Sequence, residues 1–98
     1  MALKIIWSTD AQISRREIFE YWNFRNKSRL YTNKLNMLFK EALSQIRIYN
    51  EIGKPTDLKN VRLKIVSHFE IIYDLYDDKI VILGIWDTRQ SPTNFPVK

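Results

Sequence analysis

Residues 61–92 read VRLKIVSHFEIIYDLYDDKIVILGIWDTRQSP. Val61, Leu63 and Ile65 alternate with Arg62 and Lys64, and Phe69, Ile71, Tyr73 and Leu75 alternate with Glu70, Ile72, Asp74 and Tyr76. A period of two is that of a half-buried strand, so two strands are predicted here. Asp77-Asp78 then interrupts with turn residues, although without the glycine that favours the tightest hairpins. From Ile80 to Trp86 no polar side chain occurs. Such a run predicts a central strand covered on both faces. Three strands joined by short links predict an antiparallel meander.

Upstream, the period changes to that of a helix. Tyr31, Leu35, Leu38, Phe39, Ala42, Ile46 and Tyr49 recur at the spacing of one helical face. Ser28 is the candidate cap, Gly53 stands as the residue after the helix, and Pro55 follows. An earlier helix carries Ile18, Tyr21 and Trp22 on one face and ends near Asn26. Ser8, Thr9 and Asp10 are its candidate caps, and Thr9 with Gln12 has capping-box spacing. The short connection between the helices predicts an antiparallel hairpin. Leu3–Trp7, β-branched and aromatic, predicts a first short strand. Residues 91–98 contain two prolines and are expected to run extended rather than as a central strand. The expected architecture is a single α+β domain over residues 1–98 in the order β-α-α-β-β-β, the helix hairpin packed on one face of a mainly antiparallel four-stranded sheet. Arg62, Lys64, Glu70 and Arg89 are expected on the other face.

With 98 residues, 45% of them hydrophobic, the chain can build one modest core. It has no cysteine, which excludes disulfides, thiolate metal sites and cysteine nucleophiles. In so small a domain that absence favours the cytoplasm. The apolar run at Leu3–Trp7 is too short for a signal peptide or a membrane span, so no membrane partner is expected. No P-loop, dinucleotide fingerprint, zinc spacing or Ser/His/Asp set stands out, and neither a cofactor nor a metal is expected. The formal charge of +5 implies attraction to polyanions or acidic proteins, or simply a basic surface. Arg15, Arg16, Arg25, Lys27, Arg29, Lys34 and Lys40 cluster on the helices, either as a solvated face or as a meeting surface for RNA, DNA or an acidic protein segment.

The element order, length and charge resemble the RelE/ParE superfamily of toxins from bacterial type II toxin–antitoxin systems. The resemblance is carried by a basic strand (Arg62, Lys64), an aromatic-x-Ile-x-Tyr strand (Phe69 to Tyr73), a polar turn (Asp77-Asp78), a long apolar strand (Ile80 to Trp86) and a short loop with Arg89 before Pro92. Ile5 to Ala11 looks like the family's first strand and helix cap. The resemblance implies growth inhibition, a role in plasmid stabilisation, and neutralisation by a cognate antitoxin. It implies either gyrase inhibition, as in ParE-like members, or metal-independent cleavage of mRNA on the ribosome, as in RelE-like members. A third reading is a basic α+β binding module without toxicity, or a decayed toxin.

RNA cleavage by a 2′-hydroxyl attack needs cations on the phosphate and a proton-transfer group. The resemblance places Arg62, Lys64 and Arg89 as phosphate or target contacts, a task suited to the arginine fork. Glu70 and His68 are the candidates for proton transfer. Two departures weaken the nuclease reading. Glu70 stands where the nucleases usually carry an arginine, and Phe95 stands where they tend to carry a tyrosine or histidine. Each candidate also has a plain reading. Arg62 and Lys64 fit a solvated strand face, His68 a surface turn, Arg89 a loop arginine paired with Asp87, and Tyr73 the core. The departures favour a protein that acts by binding, with gyrase ahead of the ribosome as target.

Overall fold

A computed structural model describes residues 3–89. Its central feature is β5, Lys79–Asp87, which pairs with β1 (Lys4–Trp7) on one side and β4 (Phe69–Leu75) on the other. β3 (Val61–Val66) follows β4, and a two-residue strand β2 (Lys54–Pro55) closes the far edge. The sheet is therefore five-stranded and mixed, in the order β1-β5-β4-β3-β2, with β1 parallel to β5. The expected four-stranded sheet lacked β2, which is too short to show a period. Pro55 is tolerated because β2 is an edge strand. The tail expected over 91–98, and Phe95 within it, lie outside the described residues.

Between β1 and β2 run α1 (Thr9–Asn26) and α2 (Leu30–Ile48). The N-cap of α1 is Ser8, not Thr9: its hydroxyl accepts the Ala11 N–H at 3.0 Å and donates to the Leu83 carbonyl at 3.3 Å. One serine thus caps the helix and ties it to β5. Lys27 ends α1 in the left-handed region, and α2 begins at Leu30, whose N–H is accepted by the Ser28 hydroxyl at 3.1 Å. Thr32, buried, donates to Asn23 and fixes how the two helices meet.

The hairpin covers one face of the sheet. Leu35, Phe39, Ala42 and Ile46 of α2, with Ala11 of α1, pack on Phe69, Ile71, Tyr73, Ile80, Ile82 and Ile85. Phe39 stacks on Phe19 and meets Phe69 edge-on, with centroids 5.7 Å apart. These are the pairings that give aromatic cores their specificity. Tyr31 and Leu38 are partly buried, but Tyr21 and Tyr49, both expected in the stripes, are more than half exposed. Gly53 does not terminate α2, whose cap is Tyr49.

β5 is a central strand, as its apolar run predicted, and the run also contains a slip of register. The register with β4 slips between Ile72 and Tyr73: Ile72 lies opposite Gly84 and Tyr73 opposite Ile82, so Leu83 has no partner. A bulge of this kind shifts the phase of alternation by one residue. Burial accordingly falls at Ile80 and Ile82 and then at Ile85. No helix of the described residues lies over the opposite face, where Ile65 is 49% exposed while Ile72 and Val61 are buried.

Candidate functional site

The exit of β5 carries Asp87, Thr88 and Arg89. Asp87 accepts three N–H groups of Arg89: the backbone N–H at 2.9 Å, Nε at 2.8 Å and Nη2 at 2.9 Å. Thr88 donates both its N–H, at 2.8 Å, and its hydroxyl, at 2.7 Å, to the carbonyl of His68. His68 lies in the β3–β4 turn, where Ser67 takes the positive φ of 57° that tight hairpins require. The segment bearing Arg89 is thus anchored on two sides.

The Arg89 guanidinium lies over the Trp22 ring at 4.4 Å from its centroid and over Phe69 at 5.4 Å. The hydrogen bonds it donates to Asp87 raise its pKa further, with a smaller contribution from the Tyr31 hydroxyl, so it is a permanent cation. Trp22 is also approached by Arg25 at 5.5 Å and by Tyr21 and Tyr31 edge-on. Stacking of a partly exposed cation on an indole is worth about 0.5–1 kcal/mol, which biases the side chain toward this position.

These groups line a cleft of about 790 Å³ between the C-terminal half of α1 and the end of β5, with Ile18, Ile85 and Trp86 in its walls. Its charges are Arg25 and Arg89 against Glu17 and Asp87, so it is close to neutral. Aromatic rings and arginine forks are the side chains that dominate protein–protein contacts. A phosphate clamp would instead gather uncompensated cations. Among the described residues, no group of three or more His, Asp or Glu could hold a metal ion.

The residues expected to act together are dispersed. Arg62 lies opposite Tyr73 and Lys64 opposite Ile71, on the face that bears the helices. Glu70, opposite Ile65 and Trp86, points to the other face. This corrects the expectation that all four would share the helix-free face. Arg89 stacks with α1, on the helix side and two strands from β3. At the usual strand spacing that separates it from Lys64 by about 10 Å or more. His68 reaches the site through its carbonyl.

Arg62 has a structural task. Its Nη1 donates to the carbonyls of Gly53 at 2.8 Å and Glu51 at 3.1 Å, tying the loop after α2 to β3. An Arg62→Met variant is expected to lose about 1–2 kcal/mol in urea unfolding, because two charge-assisted hydrogen bonds go. Its target inhibition, measured where both proteins are folded, is expected to stay within about threefold of wild type; a larger loss would return Arg62 to the site. Sequence reading assigned Trp22 to the core stripe and missed its second role. The Trp22–Arg25 spacing of three residues was the available signal.

Comparison with known proteins adds three findings. The family model described as ParE toxin of type II toxin–antitoxin system, parDE, matches residues 5–92. No curated protein matches. A solved structure, from the chromosomal ParDE toxin–antitoxin system of P. aeruginosa, superposes with a TM-score of 0.75 at 15% identity, covering 90% of this chain and 98% of the other. At that identity the superposition speaks for the fold.

Proposed function

Since the chain belongs to the ParE toxin family of type II toxin–antitoxin systems, we propose that it arrests growth by binding and inhibiting DNA gyrase in the cytoplasm, and that a cognate antitoxin neutralises it. The observation that carries this reading is the pairing of Asp87 with Arg89 inside an aromatic cleft. The arginine expected to grip a phosphate has its charge compensated and its plane laid on Trp22. Arg62 is tied to backbone carbonyls, and Glu70 lies across the sheet from it. A surface of this make-up recognises a protein and needs no proton transfer.

The test is induction of this gene alone in a bacterium, with DNA and protein synthesis followed in parallel. The purified chain is then added to gyrase supercoiling a relaxed plasmid. DNA synthesis is expected to fall first and supercoiling to be inhibited. Protein synthesis falling first, with gyrase unaffected, would move the target to the ribosome. Undisturbed growth would remove the toxin reading.

A further inference from the structure

The gyrase reading leaves most of the chain's positive charge unexplained. Residues 9–48, the hairpin, hold eight Lys and Arg against four Asp and Glu, a net +4 of the chain's +5. On the outer side of the hairpin, Arg15, Arg16, Arg29 and Lys40 line one groove of about 700 Å³, with Glu20 the only acidic residue among the described residues that line it. Lys40 also lines an adjoining hollow with Lys4 and Arg47, which has no acidic residue. The two form one strip of six cations, all of them exposed.

The order along α2 is regular. Arg29, Asn33, Asn36, Lys40, Ser44 and Arg47 follow at intervals of four, three, four, four and three, which is one helical face. At 1.5 Å per residue this face is about 27 Å long, most of one turn of duplex DNA. Between its cations the groove offers amides and hydroxyls, the side chains that hydrogen-bond to phosphate and sugar. A partner helix would need apolar anchors along its docking groove. Among the described residues the groove has one apolar lining residue, Phe19, which is stacked on Phe39; the adjoining hollow adds Ile5, Leu43 and Trp7, all partly buried, with the Arg15 guanidinium over the Trp7 ring.

We propose that the outer face of the α1–α2 hairpin is a binding strip for the phosphodiester backbone of duplex DNA. The strip is separate from the Arg89 cleft, which lies at the end of β5 and is charge-balanced. Recognition is electrostatic and independent of sequence, because the strip is a shallow groove of cations with nothing shaped to enter a base edge. Arg16 pairs with Glu20 only at 3.8 Å and exposed, so a phosphate can displace that carboxylate.

The test uses the purified full chain, with no gyrase present, and the fluorescence anisotropy of a labelled duplex of about 20 base pairs, two helical turns. Affinity is expected to fall with salt with a log–log slope of about −4 to −5, as for the release of four to six counterions. The variant R15Q/R16Q/R29Q/K40Q is expected to bind at least roughly 30-fold more weakly and to flatten the slope by about three to four. The control K54Q/K59Q, which removes charge from the opposite edge of the sheet and the loop before β3, is expected to stay within about threefold. Circular dichroism checks that the fourfold variant folds; if it does not, K40E alone, at an exposed position, is expected to flatten the slope by about one to two.

Salt-independent binding, or equal loss in the control, overturns the proposal. Equal or tighter binding to single-stranded RNA of the same length overturns the assignment to DNA. Binding to poly-glutamate but not to the duplex would make the partner an acidic protein instead. Because gyrase is absent, failure here leaves the gyrase reading standing, and failure of gyrase inhibition leaves this result standing.

Discussion

A Tyr73→Phe variant is expected to lose about 2–3 kcal/mol of unfolding free energy at pH 7, and its deficit is expected to shrink above pH 10. The ring of Tyr73 is wholly buried against α2, and the variant keeps that packing. Its hydroxyl is the knot of the loop after α2: it accepts the Gly53 N–H at 3.0 Å and donates to the Asn50 carbonyl at 2.8 Å. Removing it leaves the Gly53 N–H buried without a partner and the Asn50 carbonyl partly so, at about 1–3 kcal/mol for each buried orphan. Burial raises the Tyr73 pKa above the usual 10.0, opposed by the Gly53 N–H and by Arg62. Above pH 10 the unfolded chain therefore loses a proton that the folded chain keeps, and wild-type stability falls as pH rises toward the folded value. Phenylalanine has no such proton. Urea unfolding of both proteins at pH 7 and at about pH 11 checks the sign; a deficit that stays constant or widens would place the ionisation elsewhere.

The same knot explains why Gly53 must be glycine. Its φ is not positive, so conformational freedom is not the reason. A Cβ there would lie 2.8 Å from the Leu63 carbonyl and from the Tyr73 ring and hydroxyl. The sequence reading placed Gly53 as a helix terminator because glycine followed by proline after a helical stripe fits that pattern. Space, which decides the matter, depends on residues ten and twenty positions away.

Element order and the α2 core were legible because periodicity reports on one face at a time. Leu35, Phe39, Ala42 and Ile46 have that regularity and are buried. Which face of a strand is covered is a different question. Alternation in β3 suggested that Val61, Leu63 and Ile65 look to the helices; the register with β4 instead puts Arg62 and Lys64 on that side. The hairpin rests mainly on β5, and β3 lies toward the far edge, where α2 reaches its helix-side face at Val66 and the loop that Arg62 secures lies beside the rest. A period of two says which residues share a face and is silent on what covers it. The bulge at Leu83 was hidden for a related reason: in a run with no polar side chain, a slip of one residue leaves no mark. The Arg89 cleft was half legible. The Asp87–Arg89 pair follows from a two-residue spacing, but Trp22 comes to it from a helix more than sixty positions earlier.

That cleft supports the larger functional prediction. Arg89→Ala is expected to weaken gyrase inhibition by at least roughly 30-fold, the loss of a central arginine anchor of about 2 kcal/mol. Stability is expected to change by less than about 1 kcal/mol, because the pair with Asp87 is 40% exposed on the arginine side and water replaces much of it. Arg89→Lys separates charge from shape. Lysine keeps the cation, but it cannot make both bonds to Asp87 or lie flat on Trp22, so it is expected to recover less than a tenth of the inhibition. Asp87→Asn removes the partner while leaving the fork on Trp22 and Phe69. If the compensated pair is what the target recognises, this variant is impaired as well. If a free cation is what matters, as on a phosphate, Asp87→Asn becomes more active than wild type. Supercoiling inhibition and mRNA cleavage measured on the same three variants therefore separate a protein-binding cleft from a nuclease site. Full inhibition by Arg89→Ala would remove the cleft from either role.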